Sequence, residues 1–119
     1  MHLNQIVLIL YCALIFWLSD QASVSMPMNI PNIDKVIHAG AYFLMGILAW
    51  RAFSQQLPKP IWLTIVFCSL YGLSDEWHQS FVIGRYAEVS DWIADTAGGV
   101  FSVLLMNNIP MLEKPFSNK

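Results

Sequence analysis

Three short segments gather the residues of this chain that can move protons or hold a polar ligand: Asp34-Lys35-Val36-Ile37-His38, Asp75-Glu76-Trp77-His78-Gln79 and Asp91-Trp92-Ile93-Ala94-Asp95. They hold five of the eight acidic residues in a chain that is 56% hydrophobic and 12% charged. An ionisable side chain at the centre of a membrane helix costs about 2.5–3.5 kcal/mol, less toward the interface, so such a concentration implies a site. Carboxylates and an imidazole brought together can perform general acid–base chemistry. On that basis Asp34, His38 and Glu76 are the candidate catalytic residues, and Tyr42, Gln79, Arg85, Asp91 and Asp95 the candidate substrate-binding residues.

The spacing decides how far a plainer explanation reaches at each position. Asp34, His38 and Tyr42 recur every four residues, a stripe of carboxylate, imidazole and phenol down one helix face. Asn32 or Asp34 could simply cap that helix. His38 lies one turn deeper, where capping has no use for it and a core histidine bonded to a neighbour is the plain alternative. Asp75 and Glu76 pose the reverse problem, because acids at a helix C-terminus meet its negative pole and need a cation, a metal or protonation to offset it. They point about 100° apart, so only one need face the bundle centre; Glu76 is the choice, and His78 is expected at the interface. Asp91 follows Ser90 and suits a helix start, whereas Asp95 sits a full turn inside. Ala94/Gly98 and Asp95/Gly99 are small pairs that let a neighbouring helix approach closely. Arg85 is the natural counter-ion and can grip an anionic group bidentately, with a solvated loop arginine as its plain alternative.

The residues also limit the chemistry. Oxygen-rich carboxylate sets suit Mg²⁺, Ca²⁺ or Mn²⁺, so a divalent cation stays open as a cofactor. There is no H-E-x-x-H zinc signature, no G-x-S-x-G and no Cys/His pair to supply a nucleophile. Cys12 and Cys68 lie in apolar runs without metal-ligand spacing and read as small lipid-facing or core residues.

Positioning these groups falls to four apolar stretches, roughly residues 3–18, 36–53, 61–77 and 92–109, each near the length that crosses about 30 Å of hydrocarbon. With 119 residues and a mean hydropathy of +0.51, the composition is that of an integral membrane protein. The fold expected is all-α, a bundle of four transmembrane helices forming one domain over residues 1–119, with both termini cytoplasmic. The first stretch lacks a preceding Lys or Arg and a convincing small-x-small cleavage site, so it reads as a retained helix. Pro27, Pro31, Asn29 and Asn32 mark an exposed loop over 19–33, residues 57–60 a tight connection with Pro60 suited to a first helical turn, and 80–90 a link turning at Gly84.

Orientation follows from the basic residues. Four crossings place Arg51, Lys59, Lys114 and Lys119 on the side of the termini and only Lys35 and Arg85 opposite, which makes the first side cytoplasmic. The opposite side collects Asp20, Asp34, Asp75, Glu76, Glu88, Asp91 and Asp95. Trp17, Trp77 and Trp92 are expected at outer headgroup level, Trp50 and Trp62 at inner. A net charge of −2 with no basic run excludes a nucleic-acid partner.

The pattern Asp34-Lys35-x-x-His38-x-x-x-Tyr42, then Asp75-Glu76-x-x-Gln79-x-Phe81-x-x-Gly84-Arg85, then Asp91-x-x-x-Asp95-x-x-Gly98, resembles the VanZ-like family of bacterial membrane proteins. The likeness runs from about Asp34 to Gly99 and departs from the common pattern at Ile83, where many members have proline, and at Asp95, where many have asparagine. That second departure implies that hydrogen bonding matters there more than fixed charge. The resemblance implies a small helical domain in a bacterial cytoplasmic membrane, with a founding member linked to teicoplanin resistance, and supplies no reaction. Two functions are therefore carried forward. One is an outward-facing enzyme acting by hydrolysis or group transfer on a lipid-linked or cell-envelope amphiphile. The other is a non-catalytic binder of an amphiphilic antibiotic, lipid headgroup or partner protein. Coupled transport ranks below both, because the acids crowd one face instead of the midplane.

Overall fold

The computed structural model describes residues 3–20, 33–82 and 88–109, with the side chains of Ser19, Ile33 and Asp34 outside that description. They form four helices and, among the described residues, no strand: α1 (Leu3–Ser19), α2 (Ile33–Phe53), α3 (Ile61–Gln79) and α4 (Val89–Asn108). The starts of α3 and α4 follow from the residues there. The Pro60 carbonyl accepts the first helical bond of α3 from the Thr64 N–H at 3.1 Å, a place where the missing proline N–H is not needed. α4 opens three residues before its apolar run, at Val89, because a polar first turn is as good a helix start as an apolar one. Of the loop expected over 19–33, residues 21–32 lie outside the described residues, with Ser19 and Ile33 in the flanking helices; the caps assigned to Asn32 and Asp34 and the turn at Gly84 lie outside the described residues or side chains.

α2 packs most extensively against α4, and α3 against α4 next. The approach of α2 and α4 is close because Gly98 lies on the α2 backbone, where any Cβ would run into the Ala39 carbonyl. This is the small-residue contact that the Ala94/Gly98 spacing implies. The core runs through Tyr42, Met45, Ala49 and Cys68, continuing in Trp50, Val103 and Met106. Tyrosine hydroxyls tie α1 in: Tyr11 donates to the Ala41 carbonyl at 2.6 Å and Tyr71 to the Cys12 carbonyl at 2.6 Å. Cys68 is thus a core residue, and Cys12 is half-buried.

The outside of the bundle is apolar, with Leu10, Leu14, Leu70, Phe101 and Leu104 all exposed, as a lipid-facing surface requires. Two helical segments, Lys35–Phe53 at a mean hydropathy of 1.4 and Val89–Asn108 at 1.2, are long and apolar enough to cross a bilayer. Leu3–Leu18 is a shorter apolar helix. Trp62 and Trp77 are exposed, but Trp50 is fully buried, packed with Val103 and Met106. Trp50 thus lies near the end of α2 with its ring turned into the bundle.

Candidate functional site

The three polar segments meet at one end of the bundle. α2 contributes Lys35, His38 and Tyr42, α3 contributes Asp75, Glu76 and Gln79, and α4 contributes Asp91 and Asp95. The link between α2 and α4 is His38, whose Nδ1 donates to Asp95 Oδ1 at 2.8 Å and whose Nε2 stands 3.8 Å from Asp91 Oδ2. Asp95 is fully buried. Room for it comes from Gly72 on α3, where a Cβ would approach the Asp95 Cβ and Oδ2 to 2.9 Å. A buried carboxylate held against an imidazole fixes which ring nitrogen carries the proton, and here it leaves Nε2 with the free lone pair.

The same geometry resolves the acids at the end of α3. Glu76 Oε1 accepts the backbone N–H of Glu88 at 2.9 Å, and Glu88 is the N-cap residue of α4 with no side-chain cap of its own. The acid at the negative pole of one helix is thus placed at the positive pole of the next, which offsets part of its cost. Its other oxygen, Oε2, is buried without a hydrogen-bond partner among the described residues. Asp75 is buried as well, and receives the Tyr42 hydroxyl at 3.3 Å. Glu76, the acid expected to face inward, is enclosed against α4, and Asp75 is enclosed as well, against α2.

His38 and Tyr42 each reach an acid on another helix, and the carboxylate on His38 is Asp95. The Asp34 side chain and all of Arg85 lie outside the described residues. Gln79 is buried at the same end of α3 but is not drawn into these contacts among the described residues. His78, expected at the interface, donates to Asp20 Oδ1 at 3.0 Å and stacks on Phe16 with ring centroids 4.5 Å apart, fastening α3 to the end of α1. Lys35 was not among the candidates, yet its ammonium bonds Glu88 and lies 3.1 Å from Asp91 Oδ1. Its position three residues before His38, on the same helix face, is the signal that could have found it.

One ligand atom from each of His38, Glu76 and Asp91 falls within 4.8 Å of the others, a set able to hold a metal ion or surround a small polar group. Beside it a groove of about 310 Å³ runs between the ends of α3 and α4. Its walls include Leu73, Trp77, Val89 and Trp92, and Glu76 and Glu88 supply its acids. Trp92 is held there by its Nε1–H, which donates to the Ser69 carbonyl at 2.9 Å. Glu76 therefore belongs both to the polar cluster and to an apolar groove, an arrangement suited to an amphiphile whose head meets the acids and whose tail stays against the tryptophans.

Comparison with known proteins gives a family and little more. A family model described as VanZ/LLP1 matches residues 4–110. An uncharacterized protein of Schizosaccharomyces pombe is 31% identical over 77 residues, which cover 64% of this chain and 48% of that protein. The chain thus spans about half the length of that curated relative. No solved structure matches.

Proposed function

The chain belongs to the VanZ/LLP1 family, and from that premise we propose a single membrane domain over residues 1–119, with its motif core at 34–99, that acts on a lipid-linked or cell-envelope amphiphile by hydrolysis or group transfer. It crosses a bacterial cytoplasmic membrane four times, with both termini cytoplasmic and the polar site facing outward. The placement of Arg51 and Lys59 at the opposite end from the acids supports that orientation. The observation that carries the chemical reading is Glu76, shared between the His38–Asp91–Asp95 cluster and the apolar groove.

In this reading the tail of the amphiphile lies against Leu73, Trp77, Val89 and Trp92, and its head reaches Glu76 and His38. His38 accepts a proton at Nε2 from water or another attacking hydroxyl while Asp95 steadies the ring, and Glu76 in its protonated form returns a proton to the leaving group. Asp34 shares in the proton handling by its place on the α2 stripe. Arg85 takes the anionic part of the head, and Tyr42, Gln79 and Asp91 hold the remaining polar groups. The second reading, a binder of an amphiphilic antibiotic, lipid headgroup or partner protein, is favoured by the lack of a nucleophile motif, and any link to teicoplanin resistance belongs with it.

Turnover separates the two. The purified chain, reconstituted with total polar lipid extract, is incubated and the lipids are followed by mass spectrometry. The enzyme reading expects one lipid class to be consumed and a cleaved or transferred product to appear, with at least a 100-fold loss in Glu76→Gln. A lipid retained at one per chain with no product, in wild type and variant alike, would show a binder.

A further inference from the structure

We propose that His38, Glu76 and Asp91 bind a divalent transition-metal ion, with Mn²⁺ as the ion to test. The donors come from three different helices, and their ligand atoms lie within 4.8 Å of one another. Three independent features favour an ion there. The His38 Nδ1 bond to Asp95 at 2.8 Å turns the free Nε2 toward the cluster, the carboxylate–imidazole arrangement that orients histidine ligands in metal sites. The Nε2 to Asp91 Oδ2 separation of 3.8 Å is too long for a hydrogen bond but suits two ligands flanking one ion. Finally, Glu76 is 6% exposed, and its Oε2 is a buried acceptor with no partner among the described residues, which is costly to leave bare.

Lys35 does not exhaust the cluster's need for positive charge. Its ammonium lies on Asp91 Oδ1, whereas the other oxygen, Oδ2, is the one facing His38. One imidazole with two carboxylates is a mixed nitrogen and oxygen set, which fits Mn²⁺ or Zn²⁺ better than Ca²⁺ or Mg²⁺, whose sites are built from oxygen. The inference deepens the reading above and rests on it only for what the ion does. With an ion on Nε2, His38 is a ligand and no longer the proton acceptor, and the ion's charge takes over the activation of the attacking group.

The test uses the full-length chain in nanodiscs, stripped with a chelator and titrated with Mn²⁺ alone. Saturation at one Mn²⁺ per chain is expected, with pulsed EPR showing coupling to an imidazole nitrogen. His38→Gln abolishes that coupling and Glu76→Gln weakens binding at least ten-fold. Asp95→Asn keeps the coupling and weakens binding about 10–100-fold, the usual range for a residue that orients a ligand; His78→Gln changes nothing. The absence of saturable binding, or binding without nitrogen coupling, overturns the proposal, and wild-type protein decides this even if a variant fails to fold. Mn²⁺ binding without lipid turnover removes the catalytic reading and keeps the ion. Turnover that survives chelation in a protein that binds no Mn²⁺ removes the ion and keeps the catalysis.

Discussion

Asp95 is the residue on which the geometry of the site turns. It is fully buried, one oxygen bonds His38 at 2.8 Å, and the other, Oδ2, has no partner among the described residues. Replacing Asp95 with asparagine keeps an acceptor for the His38 Nδ1–H, and thermal unfolding in detergent should barely move. Replacing it with alanine strands a buried donor, and the same measurement should report a loss of about 1–3 kcal/mol. An equal loss in the asparagine and alanine variants would show that charge, not the hydrogen bond, is what the site uses. How much was legible differs residue by residue. Glu76 and Asp95 stood out because neither capping nor the helix dipole explains an acid at those positions. Asp75 stood out on the same ground, but its contact with Tyr42 did not, since the two lie 33 residues apart and no local spacing links them. Lys35 was passed over because a lysine at a helix end ordinarily points to solvent, and only the start of α4, brought beside it, gives it Glu88 and Asp91.

At the scale of the helices, the site depends on how closely α2, α3 and α4 approach. Four helices could be read from apolar runs, and their starts fall within three residues of the observed ones. The polar first turns of α2 and α4 were missed, because hydropathy marks where a helix is buried in lipid and not where its hydrogen bonding begins. The glycines allow a sharper test. A Cβ on Gly98 would meet Ala39 backbone, whereas a Cβ on Gly46 would meet the side chain of Ser102. Both Gly98→Ala and Gly46→Ala should lower stability by about 1–3 kcal/mol, as overpacking does. Adding Ser102→Gly should restore most of the loss for Gly46→Ala and none for Gly98→Ala, read as midpoint shifts in thermal unfolding. Equal rescue of both would place the α2/α4 contact elsewhere along the helices.

For the whole molecule, the proposed orientation lays the apolar bundle in a bilayer with its acids gathered at the outer end. A membrane-impermeant thiol reagent applied to intact cells should label Ser90→Cys and leave Gln56→Cys unmodified, in a chain whose Cys12 and Cys68 are replaced by alanine. The opposite pattern would turn the site to the cytoplasm. Membrane character was plain from composition. The burial of Trp50 was not, because a tryptophan near a helix end satisfies the aromatic-belt rule and a core position equally well until the neighbouring helix is placed. α2 and α4 join at His38 and Asp95, which aims the imidazole at Glu76 and Asp91. Solid-state NMR in lipid bilayers tests this junction most directly, through the dipolar coupling between His38 Nδ1 and the Asp95 carboxyl carbon. Strong coupling is expected, in keeping with a 2.8 Å hydrogen bond, together with a ring protonated at Nδ1. A folded protein with no such coupling would contradict it.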